Sequence, residues 1–285
     1  MHRAGVQSAT GSPCTHAPCT LHPCTLHSCT LHRAPYNPSV QHRFFAPDLD
    51  PGDEFVTLPR DEAEHLARVL RLGVGDTVSV FNGRGQEFAA RVTSVLRREV
   101  RLRTQSRVDP APEPAVAITL AQGVVKGDKM DDIVRDAVML GVAAVQPIVS
   151  KRAETTVAAL LRTSRVERWR RIALASVKQS RRAVLPEIRT PLTLENFLDE
   201  PPTAMRLMLI EPSIATGESI GALQSQTPPS DATILVGPEG GWTEQECTIA
   251  RARQVRLVTL GHRTLRADAV PVAAISVLQF LWKDL

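Results

Sequence analysis

Residues Ile234–Gly241 read I-L-V-G-P-E-G-G, and residues Leu260–Arg266 read L-G-H-R-T-L-R. The first is an apolar run that ends in a loop no regular strand or helix can continue. Pro238 lacks a backbone donor and has a fixed φ. Gly237, Gly240 and Gly241 admit left-handed turns and close approach of another group to the backbone. Trp242-Thr243 then opens a helical pattern, with Thr243 placed to cap and Glu244 and Glu246 in the first turn. Strand, glycine-rich loop and helix in succession form a common holder for a small ligand at the end of a parallel sheet. The second run, Val255, Leu257, Val258 and Leu260, ends the same way, at Gly261.

Outward from these loops the pattern stays α/β. Ala115 to Ala121 is apolar apart from Thr119 and reads as a strand. Lys126-Gly127-Asp128 leads into a helix to about Leu140, which Gly141 stops. Val142 to Val149 is the next strand and Leu161 to Arg181 a long helix. Arg206 to Ile210 is a further strand, ending at Glu211-Pro212, and Val272 to Trp282 is a closing apolar helix. Short apolar strands alternating with helices imply a parallel sheet covered on both faces.

Residues before Pro110 read differently. Asp61 to Leu72 has helical spacing, with Ala63, Leu66, Val69 and Leu70 on one face. Thr77 to Phe81 alternates, Asn82-Gly83 signals a hairpin, and Glu87 to Val95 and Val100 to Leu102 follow as strands. A short helix with several strands predicts a small barrel. Arg43, Arg68, Arg71, Arg84, Arg97, Arg98, Arg101 and Arg103 crowd it, and together they suit a phosphate-binding face. Pro110, Pro112 and Pro114 mark a stiff linker.

The chain has 285 residues, 43% of them hydrophobic, and no run long enough to span a membrane. A net charge of +4 permits a polyanionic partner without requiring one. Cys14, Cys19, Cys24 and Cys29 recur with His22, His27 and His32 in near-copies of P-C-T-L-H. Cys and His are zinc ligands, but this repeat has no core-forming pattern to fix a coordination geometry. Residues 1–40 therefore read as a low-complexity extension, or as sequence translated from a misplaced start, and no metal site is expected. They lack the features of a signal peptide. Cys247 stands alone outside the extension, which fits a reducing cytoplasm. Neither G-x-x-x-x-G-K-[ST] nor G-x-G-x-x-G follows a strand, which argues against a nucleotide-phosphate enzyme.

Several ordered motifs resemble the RsmE-type family, the 16S ribosomal RNA uridine N3-methyltransferases of the SPOUT class. They are R-F-F at 43–45, H-L-x-x-V-L-R-L-x-x-G-D at 65–76, F-N-G-x-G at 81–85 and K-G-D-K-M-D-x-I at 126–133. L-G-V at 140–142, Q-S-x-R at 179–182 with Pro186, and the two glycine loops complete the set. The resemblance implies a PUA-like RNA-binding barrel at 41–110 and a SPOUT domain at 113–285, whose parallel sheet ends in a C-terminal trefoil knot. Periodicity does not reveal a knot. The chain departs from the family at Met139, where a Glu is usual. It reads Leu265-Arg266-Ala267-Asp268-Ala269 where L-R-T-E-T-A is usual.

The resemblance further implies a cofactor, S-adenosylmethionine, held by Ile210, Glu211, Gly237, Pro238, Glu239, Gly240, Gly241, Leu260, Gly261, Leu265 and Arg266. It implies 16S rRNA or the small ribosomal subunit as partner, a homodimer through the C-terminal domain, and a cytoplasmic enzyme; the apolar closing helix, with Val272, Ile275, Leu278, Leu281 and Trp282, is a candidate surface for that dimer. Methylating N3 requires the proton on that nitrogen to leave, so Arg182 and Arg266 are expected to favour the uracil anion, with Glu239 the nearest carboxylate. Glu211 could face the sulfonium cation. Arg43, Arg68, Arg71, Lys126, Lys129, Arg152, Gln179 and Arg182 are the expected RNA contacts. The competing expectation is a non-catalytic RNA-binding relative, which would not bind S-adenosylhomocysteine.

Overall fold

The computed structural model describes residues 42–96, 99–213 and 217–284. The Cys/His repeat at 14–32, and Arg97 and Arg98, lie outside the described residues. The first layer of structure is a five-stranded sheet in the order β1-β3-β4-β5-β2. Its strands are β1 (Arg43–Phe45), β2 (Phe55–Thr57), β3 (Thr77–Phe81), β4 (Glu87–Leu96) and β5 (Glu99–Val108). β1 runs parallel to β3, and the other pairs are antiparallel. Phe44, Leu49, Leu66, Val78, Val80, Val92 and Leu102 fill its core. The helix expected over 61–72 is shorter. It is α1 (Arg60–Glu64) followed by a π turn at His65–Val69, and it stops where Arg71 takes φ 56°.

The second sheet has the order β11-β13-β10-β12-β6-β7-β8, with β9 also on β7. Its strands are β6 (Ala117–Gly123), β7 (Ala144–Val149), β8 (Glu187–Ile188), β9 (Leu192–Thr193), β10 (Met205–Leu209), β11 (Glu218–Ser219), β12 (Asp231–Val236) and β13 (Arg256–Thr259). Every pairing in it is parallel. The helices are α2 (Lys129–Met139), α3 (Val157–Leu161), α4 (Arg165–Ser180), α5 (Leu194–Asp199), α6 (Glu244–Ala252) and α7 (Ala269–Leu281).

Alternation along the strands shows why the runs are wholly apolar. Leu120, Ile234 and Val236 point into one core with Ile133 of α2, Trp169 of α4 and Ile275 of α7. Their neighbours Ala121 and Leu235 point into the other, with Phe197 of α5 and Cys247 of α6. Both faces are buried, so both parities must be hydrophobic.

The carboxyl ends of β10, β12 and β13 deliver the loops at Ile210–Ser213, Gly237–Thr243 and Leu260–Asp268 to one edge of the sheet. The ends of β6 and β7 deliver Val124–Asp128 and Ser150–Thr156 beside them.

The two sheets are joined through the end of α4. Arg181 closes that helix in the left-handed conformation. The Arg43 guanidinium donates to the carbonyls of Val177, Lys178 and Arg182, and to Glu87. A cation on exposed carbonyls at a helix C-terminus is favourable in charge as well as in hydrogen bonding. Glu62 of α1 pairs with Lys178. Gly85 N–H donates to Ala183 O at 3.0 Å and Leu185 N–H to Gly83 O at 2.9 Å. The F-N-G-x-G motif thus meets the chain just after the Q-S-x-R motif at this joint.

Candidate active site

The loop after β12 is built from within. Gly241 N–H donates to Pro238 O at 2.9 Å, and Gly241 has φ 65°, a conformation that favours glycine. The Trp242 indole donates to Leu209 O at 3.1 Å. Thr243 and Glu246 form a full capping box at the start of α6, as the sequence predicts. A Cβ on Gly123 would lie 2.7 Å from both N and Cδ of Pro238, so β6 can approach the loop this closely only with glycine there.

Three further ties hold the loop from outside. Glu239 accepts the Lys126 N–H at 3.1 Å and pairs with the Lys129 ammonium at 3.1 Å. Arg152 donates to Gly240 O at 2.5 Å and Trp242 O at 3.3 Å. Lys151 N–H donates to Glu246 at 2.8 Å. Burial alone would raise the Glu239 pKa, but its own amide, the Lys126 amide and Lys129 outweigh that and hold it below the usual carboxylate value. Glu239 is therefore an ionised clasp in this geometry. A general base for neutral pH would need the opposite shift.

Between the three loops lies a cavity of about 550 Å³. Of the residues read from sequence, Ile210, Glu211, Gly237, Pro238, Glu239, Gly241, Leu260 and Leu265 line it. Gly240, Gly261 and Arg266 do not. Gly240 turns its back to the cavity, toward the Arg152 side chain. Arg266 is 75% exposed and pairs with Asp268 at 3.0 Å. The slight burial of Asp268 would raise its pKa, but Arg266 lowers it overall. The acid that replaces the usual family residue here thus binds its own neighbour.

Leu209, Trp242, Cys247, Arg263, Thr264 and Val270 also line the cavity and were not read from sequence. Leu209, Trp242 and Val270 carry the same apolar signal as core residues, so only adjacency to the glycine loops could have marked them. Burial pushes the Cys247 thiol pKa up, which keeps it a neutral wall group.

Two arginines correct the sequence reading. Arg182 is 3% exposed. It pairs with Glu113 and donates to Val138 O at 2.6 Å and Val142 O at 3.1 Å, away from the cavity. Its donors serve packing of the second domain, so it is withdrawn as a catalytic cation and as an RNA contact. Arg43, at 10% side-chain exposure, is spent on the joint described above and is withdrawn as an RNA contact. Arg68, Arg71 and Gln179 are exposed. Lys126 pairs with Glu154 at a second cavity, described below. Among the described residues there is no cluster of metal-ligating side chains, and no helix is long and apolar enough to cross a membrane.

A parallel sheet with a cavity at its carboxyl edge, joined to a small strand domain, defines the class. Residues 112–279 match the RNA methyltransferase domain family and residues 58–105 the RNA methyltransferase PUA domain. The fold and site are those of an RNA methyltransferase. The ribosomal RNA small subunit methyltransferase E of Synechocystis is 33% identical over 230 residues, covering 79% of this chain and 73% of the relative. The crystal structure of the same-named protein from Neisseria gonorrhoeae, bound to S-adenosyl methionine, superposes with TM-score 0.75 at 32% identity, over 85% of this chain and 98% of that one. A methyltransferase structure from Legionella pneumophila, with bound cofactor SAM, gives TM-score 0.76 at 27% identity, over 84% of this chain and 96% of that one. This chain belongs to the ribosomal RNA small subunit methyltransferase E family.

Proposed function

We propose that this chain methylates N3 of a uridine in 16S ribosomal RNA, using S-adenosylmethionine held in the 550 Å³ cavity. The observation that carries the reading is that the cavity is walled by both glycine loops, at the carboxyl edge of the sheet, in a member of this family. The residues present fit the cofactor. Leu209, Trp242, Leu260, Leu265 and Val270 offer apolar walls to a flat base. Glycine at 237 and 241 keeps the loop thin: a Cβ at 241 would sit 3.1 Å from Glu211 Oε1. Glu211 and Glu244 put two carboxylates on the cavity wall, groups that can accept from hydroxyls or pair with a cation. When bound, the cofactor supplies a methyl group made electrophilic by its sulfonium.

The chain's own residues do the rest by positioning and charge. Glu239, Arg152 and Lys151 fix the loop before anything binds, so its backbone polar groups are already aimed. Of the two arginines expected to favour the deprotonated uracil, Arg266 is exposed beside the cavity and keeps that role, while Arg182 does not. The pairing of Arg266 with Asp268 must loosen for that role. The N3 edge is the pairing edge, so the uridine must be presented unpaired. Arg68 and Arg71 form no ion pair among the described residues and suit phosphate contacts remote from the cavity. The discriminating experiment against a non-catalytic RNA-binding relative is calorimetry with S-adenosylhomocysteine, which should show one saturable site per chain.

We also propose that the two domains run over 41–110 and 113–285, that the C-terminal chain closes as the trefoil knot of the SPOUT class, and that the enzyme works in the cytoplasm as a homodimer. Ile275, Leu278 and Trp282 of the expected dimer surface are buried in their own subunit. The outward strip of α7 is instead led by Phe280, 69% exposed, with half-buried Ala273 and Val277 before it at helical spacing and Val277 partly packed on its own core.

A further inference from the structure

The Pro238–Gly240 turn has two sides, and the second also faces a cavity. This one, of about 500 Å³, lies between Val124–Gly127 after β6, the Arg152–Thr155 turn after β7, and Arg165 at the start of α4. Arg152, Pro238 and Glu239 belong to both cavities, so the two share a wall.

The charges in this second cavity are unequally satisfied. Its carboxylates, Glu154 and Glu239, are both occupied by lysines: Glu154 by Lys126, and Glu239 by Lys129 and the Lys126 amide. Its guanidiniums have no anionic partner among the described residues. Arg165 has only a 3.5 Å contact to Val125 O and a place over the Trp169 ring, 5.4 Å from its centre. Arg152 spends one nitrogen on two neutral carbonyls. Two guanidiniums without an anionic partner, beside a lysine shared with Glu154, suit a phosphodiester, which a guanidinium can bind through paired N–H groups.

We propose that this second cavity binds a backbone phosphate of the RNA substrate, through Lys126, Arg152 and Arg165, and that Arg152 couples that phosphate to the cofactor loop. The proposal rests on the methyltransferase reading and extends it, adding Arg165 and a site. A nucleotide whose base reaches the cofactor cavity must lay its backbone close by, and the shared wall puts this cavity one turn of chain away. Coupling follows from the arginine's geometry. One terminal nitrogen of Arg152 holds Gly240 and Trp242, while its stem packs on Gly240, where a Cβ would lie 3.2 Å from Arg152 Cβ. A guanidinium has further donors, so a phosphate can take those without releasing the loop. Ordering the side chain from one side then holds the loop on the other, and by linkage each ligand strengthens the other.

The test uses the full-length protein with transcribed, unmodified 16S rRNA. RNA affinity is measured across a salt series, and S-adenosylhomocysteine affinity is measured by calorimetry with and without saturating RNA. Lys126→Gln and Arg165→Gln should each weaken RNA binding about tenfold near 0.1 M salt and lower the salt slope by about 0.7–0.9. Without RNA, each should leave S-adenosylhomocysteine affinity within about twofold of wild type. In the wild type, RNA should tighten S-adenosylhomocysteine binding about fivefold, within the usual range of coupling. Arg152→Gln should lose that tightening. Arg165→Lys, which keeps the charge, should recover most of the RNA affinity, and Lys126→Gln carries the test if Arg165→Gln does not fold. Unchanged RNA affinity and salt slope in both charge-removing variants, with normal methyl transfer by the wild type, would overturn the phosphate site alone. Equal S-adenosylhomocysteine affinity with and without RNA would overturn the coupling. Absence of methyl transfer by the wild type would overturn the parent reading.

Discussion

The carboxylate of Glu239 accepts the backbone N–H of Lys126 at 3.1 Å, across 113 positions of sequence. This bond fastens the glycine loop after β12 to the turn after β6, and the Lys129 ammonium reinforces it. The site is therefore set by a contact between two motifs that are far apart in the chain.

That contact predicts a pH dependence. Because Glu239 titrates below the usual carboxylate range in the folded protein, its contribution is fully present above that ordinary range. It is lost as pH falls through the lower folded value. S-adenosylhomocysteine affinity should fall with pH in this acid range, more steeply in the wild type than in Glu239→Gln. Parallel pH profiles for the two proteins would contradict the clasp.

Glycine substitutions should separate the two sides of the loop. Gly241→Val meets φ 65° and the Glu211 carboxylate, and the strain is about 1–3 kcal/mol. It should abolish most cofactor binding while circular dichroism still shows a folded protein. Gly240→Val points instead at the Arg152 side chain. It should reduce cofactor affinity less, and RNA affinity more. Calorimetry and RNA binding on the same two variants check the order.

Arg182→Ala should act on stability and spare catalysis. It leaves Glu113 and two buried carbonyls without their donor, a loss of about 3 kcal/mol. The melting temperature should drop by several degrees, with the turnover number within about threefold of wild type below the transition. A large fall in turnover with unchanged melting would restore Arg182 to the reaction.

Arg68→Ala and Arg71→Ala should weaken RNA binding and leave cofactor affinity intact. Each removes about 0.7–0.9 from the salt slope, since phosphate contacts act by counterion release. Equal losses for RNA and cofactor would contradict a first domain dedicated to RNA.

The outward strip of α7 predicts the assembly. Phe280→Glu places a charge at the centre of the proposed contact; light scattering should show a dimer for the wild type and a monomer for the variant. A wild type that is monomeric and active at micromolar concentration removes the dimer.

Much of this was legible in the sequence for a simple reason. Strands buried on both faces, such as Ile234–Val236, cannot hide their composition. Thr243 with Glu246, and Gly141 at φ 94°, mark helix ends by local chemistry alone. The fate of an arginine is decided by distant partners: Arg43 by the end of α4, Arg182 by Glu113. No local pattern distinguishes these from Arg68 on the surface. Two-residue strands such as β8 and β9 are too short for periodicity to register. Cavity walls such as Leu209 and Trp242 look like core because, apart from the face they turn to the cavity, they are core.

Methyl transfer to a uridine N3 in 16S rRNA is the reaction proposed for this site. The most direct measurement incubates the full-length protein with S-adenosylmethionine and small ribosomal subunits or free 16S rRNA lacking the modification, then maps methylated nucleosides by mass spectrometry. One new N3-methyluridine should appear at a single position, and it should be absent when Gly241→Val replaces the wild type. Methylation of another atom or another base, or no methylation while S-adenosylhomocysteine binds normally, would contradict it.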